Sequence, residues 1–247
     1  MNQAYLWITV VMLMVGASLF CEYKAVTQST VEASDPSQMS ALDYWAGLFK
    51  ALASLGFLAY FYDQLDQQAL IENSAVHQVP SLALGVALVA SAVGDVLLVG
   101  KKEIFFLLGL IAFFMAHLAY AFAFVYPLWQ GEFELLTLPN VSLTLLVGGI
   151  SVLAFRYFKP YIPYSLLYPA MAYTTVIGLM MSIAFMHSLS LSCVLVASGA
   201  FAFWLSDLAV AKQQFQADQL RLSGFYVRLW GLPLYYIAQL ILASEMT

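Results

Sequence analysis

Of the 247 residues, 63% are hydrophobic and only 9% carry charge, against about 25% charged in an ordinary soluble domain. By composition the chain is an integral membrane protein. The net charge of −5 comes from polar loops, and with no basic arm or cluster a nucleic-acid partner is not expected. Cys21 and Cys193 are the two cysteines, which excludes a disulfide framework and a thiolate metal centre.

Eight apolar stretches each approach the roughly 20 residues that a helix needs to cross a hydrocarbon core about 30 Å thick. They cover residues 4–20, 44–62, 79–99, 104–126, 141–158, 164–185, 188–211 and 225–242. The expected fold is all-α: a bundle of eight transmembrane helices in one domain over residues 1–247. The first stretch has no basic region ahead of it, and Cys21 follows the bulky Phe20. It therefore reads as an uncleaved span, neither a signal peptide nor a lipoprotein anchor. Residues 22–43 read as a polar connector, in part disordered. Pro169 falls inside the sixth span, where neighbouring helices can re-satisfy the backbone it frees.

Basic residues set the orientation. Lys24 follows span 1, Lys101 and Lys102 follow span 3, and Arg156 and Lys159 follow span 5. Lys212, Arg221 and Arg228 lie between spans 7 and 8, while the opposite loops and both termini carry no Lys or Arg. The positive-inside rule then places the odd loops in the cytoplasm and both termini outside. The expected location is a bacterial inner membrane, with an internal eukaryotic membrane as the alternative. Spans 3 and 7 each end in a small residue followed by Asp and a basic loop. Spans 4 and 8 then carry Ala-His-Leu (116–118) and Ala-Gln-Leu (238–240). This hints at a 4+4 parallel internal repeat.

Two acids stand out within the spans. Asp95 lies in SAVGDVLL (91–98) and Asp207 in SGAFAFWLSDLAVA (198–211). An ionisable group in a spanning segment costs roughly 2.5–3.5 kcal/mol on insertion scales, so it marks a functional site by default. Lys50 is the one basic residue read well within a span, Arg156 and Arg228 falling at the span ends. The plain alternative is that the acids snorkel to the interface, or that one pairs with Lys50 as a buried structural ion pair.

Counting 1.5 Å per helical residue from the nearest cytoplasmic charge gives a depth for each polar group. Asp95 comes at about 9 Å, Asp207 at about 7–8 Å and Lys50 at about 10 Å. Tyr235 and Tyr236 come at about 10–12 Å, and Tyr173, counted from Tyr164, at about 13–14 Å. Groups from five spans thus share one layer near the cytoplasmic leaflet, a polar site able to receive a lipid from that leaflet. Gln239 falls deeper, at roughly 16 Å, and His117 at roughly 20 Å, too far to touch the acids without strong tilt of span 4. Each tyrosine is by itself also a common packing or belt residue.

Taken together, SAVGD (91–95), FLLGLIAFFMAHLAY (106–120), SGAFAFWLSDLAVA (198–211) and YYIAQLI (235–241) resemble the lysoplasmalogenase-like membrane family, also called YhhN. Lys50 and Tyr173 fit weaker family positions, with Ala51 standing where the family commonly has Pro and the first loop longer than usual. The resemblance implies an eight-span enzyme that hydrolyses the vinyl ether of lysoplasmalogens, the ethanolamine or choline lysophospholipids. The products are a fatty aldehyde and the glycerophospho-headgroup. By that analogy Asp95 and Asp207 are the catalytic pair.

The chemistry suits two carboxyls. Protonation of the vinyl β-carbon gives an oxocarbenium ion that water captures. This calls for one carboxyl that holds a proton and one that is ionised, as in glycoside hydrolysis. Lys50 could hold the second charge, Tyr173, Tyr235 or Tyr236 could orient the ether or water, and Arg228 could meet the phosphate. Gln239 and His117 complete the candidate set, and the scheme requires no cofactor and no metal. A metal-dependent hydrolase is the first rival, but zinc needs three or four ligands, and His77 and His187 read as outer-loop residues. The second is a proton-coupled transporter of a lipid or amphiphile with the two acids as relay groups. Against it, neither acid reads as lying at the midplane. The sequence carries no signal of oligomeric state.

Overall fold

The computed structural model describes residues 3–29, 40–69, 75–131, 137–216 and 221–244. Among them are eight α-helices: α1 (Gln3–Ser29), α2 (Ala41–Ala69), α3 (Ala75–Leu97), α4 (Glu103–Gln130), α5 (Leu138–Phe158), α6 (Tyr164–Leu191), α7 (Val194–Gln216) and α8 (Arg221–Ser244). A short 3₁₀ turn, Lys159–Tyr161, leads from α5 into α6. All eight helices are long and apolar enough to cross a membrane, and no strand occurs among the described residues. The protein is a multi-pass membrane protein.

Local chemistry starts and stops these helices. Ser40 Oγ accepts from the Asp43 backbone N–H at 3.2 Å, while Asp43 Oδ2 accepts from the Ser40 N–H at 2.8 Å. This reciprocal cap opens α2. Thr137 caps α5, with Pro139 in the first turn, where its missing N–H has no cost. Ser192, at φ 56°, takes the left-handed conformation that ends α6.

Neighbouring helices touch in the order α1, α2, α3, α4, α6, α7, α8 and back to α1, with α5 against α6 and α7. The closest hairpins are α3–α4, α1–α2 and α7–α8. Small residues permit that approach: a Cβ on Gly94 would lie 2.6 Å from the Phe113 ring, and one on Gly231 would lie 2.4 Å from the Ala209 Cβ. Gly94 adjoins Asp95 and Ala209 follows Asp207 by two residues, so a close helix contact lies beside each of the two acids. Close backbone approach through small residues is the usual device of helix packing in lipid.

Two helix limits correct the reading of the sequence. The first helix does not stop at residue 20 but continues to Ser29, so Glu22 lies in a helix and is only 8% exposed. The connector proper is shorter, and residues 30–39 lie outside the described residues. Residues 188–191 belong to α6 and not to the seventh span, because the left-handed turn at Ser192 comes after them. His187 is accordingly within α6, its Nδ1 2.9 Å from the Phe124 carbonyl oxygen, and His77 lies in the first turn of α3. Neither is an outer-loop residue.

Candidate active site

Asp95 sits in the last turn of α3 and is 3% exposed. Its Oδ2 accepts from Ser54 Oγ at 2.6 Å and from the Tyr236 hydroxyl at 3.4 Å. The same two hydroxyls lie 3.2 Å apart. Both also reach the Lys50 backbone carbonyl, Tyr236 at 2.9 Å and Ser54 at 3.1 Å. Tyr235 brings a further hydroxyl to this carboxyl, buried and outside normal hydrogen-bond geometry. Helices α2, α3 and α8 are thereby tied together at one carboxylate.

Lys50 meets the site in two ways. Its main-chain oxygen anchors the network, while its side chain lines the cavity beside Asp95. The ion pairs among the described residues are Lys101–Asp43, His117–Asp207 and Arg228–Glu22. Among the described residues Lys50 is thus not ion-paired with Asp95 or with Asp207.

Asp207 has its own partners. The Tyr173 hydroxyl donates to Oδ2 at 2.8 Å, and His117 Nε2 lies 3.5 Å from the same oxygen. His117 is fully buried, with Nδ1 2.6 Å from the Phe113 carbonyl oxygen. A carbonyl only accepts, so Nδ1 carries a hydrogen, and the neutral ring then presents the Nε2 lone pair to Asp207. A hydrogen bond between the two must use a proton held by one or the other.

This contact corrects the depth argument, which kept His117 away from the acids. The count for Asp207 started at Lys212, but α7 runs on to Gln216. Asp207 therefore lies about 13–14 Å from the helix end, and a charged residue inside a helix is a poor marker of its boundary. Gln239 is also fully buried, and its Oε1 accepts from the Tyr120 hydroxyl.

An aromatic cluster joins His117, the neighbour of Asp207, to Tyr235. Phe203 packs on His117 at 4.7 Å, on Tyr235 at 5.4 Å and on Phe113 at 6.3 Å between centroids. Beside it a cavity of about 820 Å³ opens, lined by Asp95, Asp207, Lys50, Tyr173, Tyr235 and Arg228 among others. That volume is in the range of small-molecule sites. His117, Tyr236 and Gln239 are not in its wall; they stand one layer behind it. Ser91 Oγ, Tyr235 Oη, Gln239 Nε2 and His117 Nε2 are buried with no hydrogen-bond partner of normal geometry, and buried orphans of this kind call for water or ligand. Arg228 reaches the cavity already paired, Nη1 to Glu22 Oε1 at 2.9 Å. Among the described residues no three His, Cys, Asp or Glu side chains converge as a metal site would need.

Sequence reasoning missed Ser54, Tyr120, Ser91, Phe203 and Glu22. A signal existed for two of them: Ser54 stands one turn after Lys50 and Ser91 one turn before Asp95, so each shares its partner's helix face. Nothing comparable marked Phe203 or Glu22.

The model of one protein family, YhhN, matches residues 45–246. The chain belongs to the YhhN family. No match was found among curated proteins or among solved structures. Every side chain described around the two acids falls inside the YhhN match, whereas α1 and Glu22 precede it. Membership of the YhhN family supports a lysoplasmalogenase-like function at the level of the family and is consistent with a hydrolase.

Proposed function

We propose that the protein is a lysoplasmalogenase, hydrolysing the vinyl ether of an ethanolamine or choline lysoplasmalogen to a fatty aldehyde and the glycerophospho-headgroup. One observation carries the reading: in a YhhN-family chain, two carboxyls from different helices open onto the same cavity. Lysophospholipid would enter from the membrane, at the end of the bundle that bears Lys101, Lys102 and Arg228. By the positive-inside rule that end is the cytoplasmic one, and a bacterial inner membrane is the proposed location.

The hydrogen bonds suggest a division of labour. Asp95 receives hydroxyl donors from Ser54 and Tyr236, the company an ionised carboxylate prefers. Asp207 faces a ring nitrogen across 3.5 Å, and the two hold one proton between them. Asp207 lines the cavity and His117 does not, so Asp207 presents that proton. It passes to the vinyl β-carbon, and the double-bond electrons leave an oxocarbenium ion. Water adds to that cation as Asp95 takes its proton. In the resulting hemiacetal the hydroxyl proton goes to Asp207, the C–O bond to glycerol breaks, and Asp95 returns its proton to the leaving oxygen. Aldehyde and alcohol are released with both carboxyls restored. Tyr173 holds Asp207 in place, Lys50 supports the charge on Asp95, and Arg228 meets the phosphate. The scheme draws on no cofactor.

The deciding experiment is incubation of the purified protein with a lysoplasmalogen, following free aldehyde. Release of aldehyde in a one-to-one ratio with glycerophospho-headgroup is expected. Transport of the lipid across proteoliposomes with no aldehyde formed would turn the reading into that of a transporter.

A further inference from the structure

Glu22 is a carboxylate in a place that gives it half a partner. It is 8% exposed on α1, and Oε1 is held by Arg228 Nη1 at 2.9 Å. Its other oxygen, Oε2, is buried with no hydrogen-bond partner among the described residues. Glu22 and Arg228 both line the cavity of the two acids. Arg228 ties Glu22 to α8, the helix that also carries Tyr236, whose hydroxyl bonds Asp95. The second acid–base pair on the same rim differs in burial: Asp43 Oδ2 takes both the Ser40 N–H and Lys101, and with its side chain 25% exposed Asp43 holds no buried unbonded oxygen. A pair built only for stability would leave no charged oxygen buried and unbonded, because desolvation of that oxygen is costly.

We infer that Glu22 and Arg228 form a headgroup clamp that selects a zwitterionic phosphoethanolamine. This rests on the lysoplasmalogenase reading and names the substrate within it. Arg228 is 45% exposed, which leaves guanidinium N–H groups to meet a phosphate in the fork geometry that Arg offers. Glu22 Oε2 is then positioned for the ammonium of the same headgroup. The exchange is electroneutral, since a zwitterion brings one charge of each sign to a pair that already holds one of each. An alkenyl glycerophosphate without an amine would engage Arg228 and leave Glu22 more poorly compensated. A trimethylammonium group carries no N–H to donate and is usually met by an aromatic cage, so choline leaves Oε2 unbonded. Glu22 lies ahead of the family match at 45–246, so this selectivity belongs to the chain's own first helix.

The test is a ratio. The value of kcat/KM for alkenyl lysophosphoethanolamine over that for alkenyl lysophosphocholine is measured in wild type and in Glu22→Gln, in the same preparations. Wild type is expected to favour ethanolamine by about tenfold or more, the scale of one charged hydrogen bond. Glu22→Gln should bring the two substrates close to parity. Partial misfolding lowers both values alike and leaves their ratio untouched. An unchanged ratio in Glu22→Gln, or a wild type that prefers choline, overturns the clamp. A parallel arm measures binding of the saturated alkyl-ether lysophosphoethanolamine and lysophosphocholine in detergent. If no vinyl ether is hydrolysed but ethanolamine binds in preference and loses that preference in Glu22→Gln, the clamp stands and the hydrolase reading falls. If neither arm shows a Glu22-dependent preference, the clamp falls.

Discussion

His117 Nε2 faces Asp207 Oδ2 across 3.5 Å, in a side chain with no exposure at all. With Nδ1 committed to the Phe113 carbonyl, the imidazole cannot turn away, and its only free function is to share a proton with the acid. His117→Gln removes that sharing and keeps polarity. It is expected to lower turnover of lysoplasmalogen by about 10²-fold and to alter a limb of the pH–rate profile. Tyr173→Phe, which deletes only a neutral donor to Asp207, should lower the rate and leave the shape of the profile as it was. Identical profiles in wild type and His117→Gln would sink the shared proton.

The carboxyls themselves supply the sharpest test. Asp95→Asn and Asp207→Asn are nearly isosteric, and each should reduce turnover by about 10²-fold or more, the scale of lost acid–base catalysis. The double variant should be scarcely worse than either single one, because groups that work as a unit are non-additive. Monodisperse extraction in detergent checks that the fold survives. Full activity in either single variant defeats the mechanism.

Ser54 and Tyr236 are held by each other, by Asp95 and by the Lys50 carbonyl. Ser54→Ala leaves the buried carboxylate short of its closest donor. A loss of about 1–3 kcal/mol of stability is the expected range for a buried group left unbonded, read as a lower melting temperature in detergent. The rate should fall with it in Ser54→Ala and in Tyr236→Phe. Wild-type melting in both variants would show that the network does not carry the fold.

Gly94 has no room for a side chain, since its Cβ would meet the Phe113 ring at 2.6 Å. Gly94→Ala should therefore push α4 from α3 and cost about 1–3 kcal/mol, as overpacking does. Because Asp95 is the next residue, activity should drop more than that of an equally destabilised variant at the lipid-facing Val86, which is 54% exposed. The comparison is made at matched melting temperature.

Orientation has an independent check. A reporter that is active only in the cytoplasm, fused after Thr247, should stay silent, because the basic loop residues all fall on the other side. Activity of that reporter would reverse the proposed orientation and the leaflet from which lipid enters.

Eight helices and two acids were legible without coordinates, and for one reason: a bilayer penalises charge and exposed backbone at every position along a span. Hydropathy therefore marks each helix, and Asp95 and Asp207 stand out inside theirs. That penalty acts on one helix at a time and says nothing of rotation about its axis or of how far it extends past the first charge. Only packing decided that α7 runs beyond Lys212 to bring Asp207 level with His117. Packing likewise decided that Ser54 turns toward Asp95 and that Phe203 packs on both His117 and Tyr235. It also moved Glu22 out of a supposed connector and into the cavity wall, paired with an arginine from the far end of the chain. Contacts between α1 and α8, or α4 and α7, join residues far apart in sequence, and side-chain fit in three dimensions selects them.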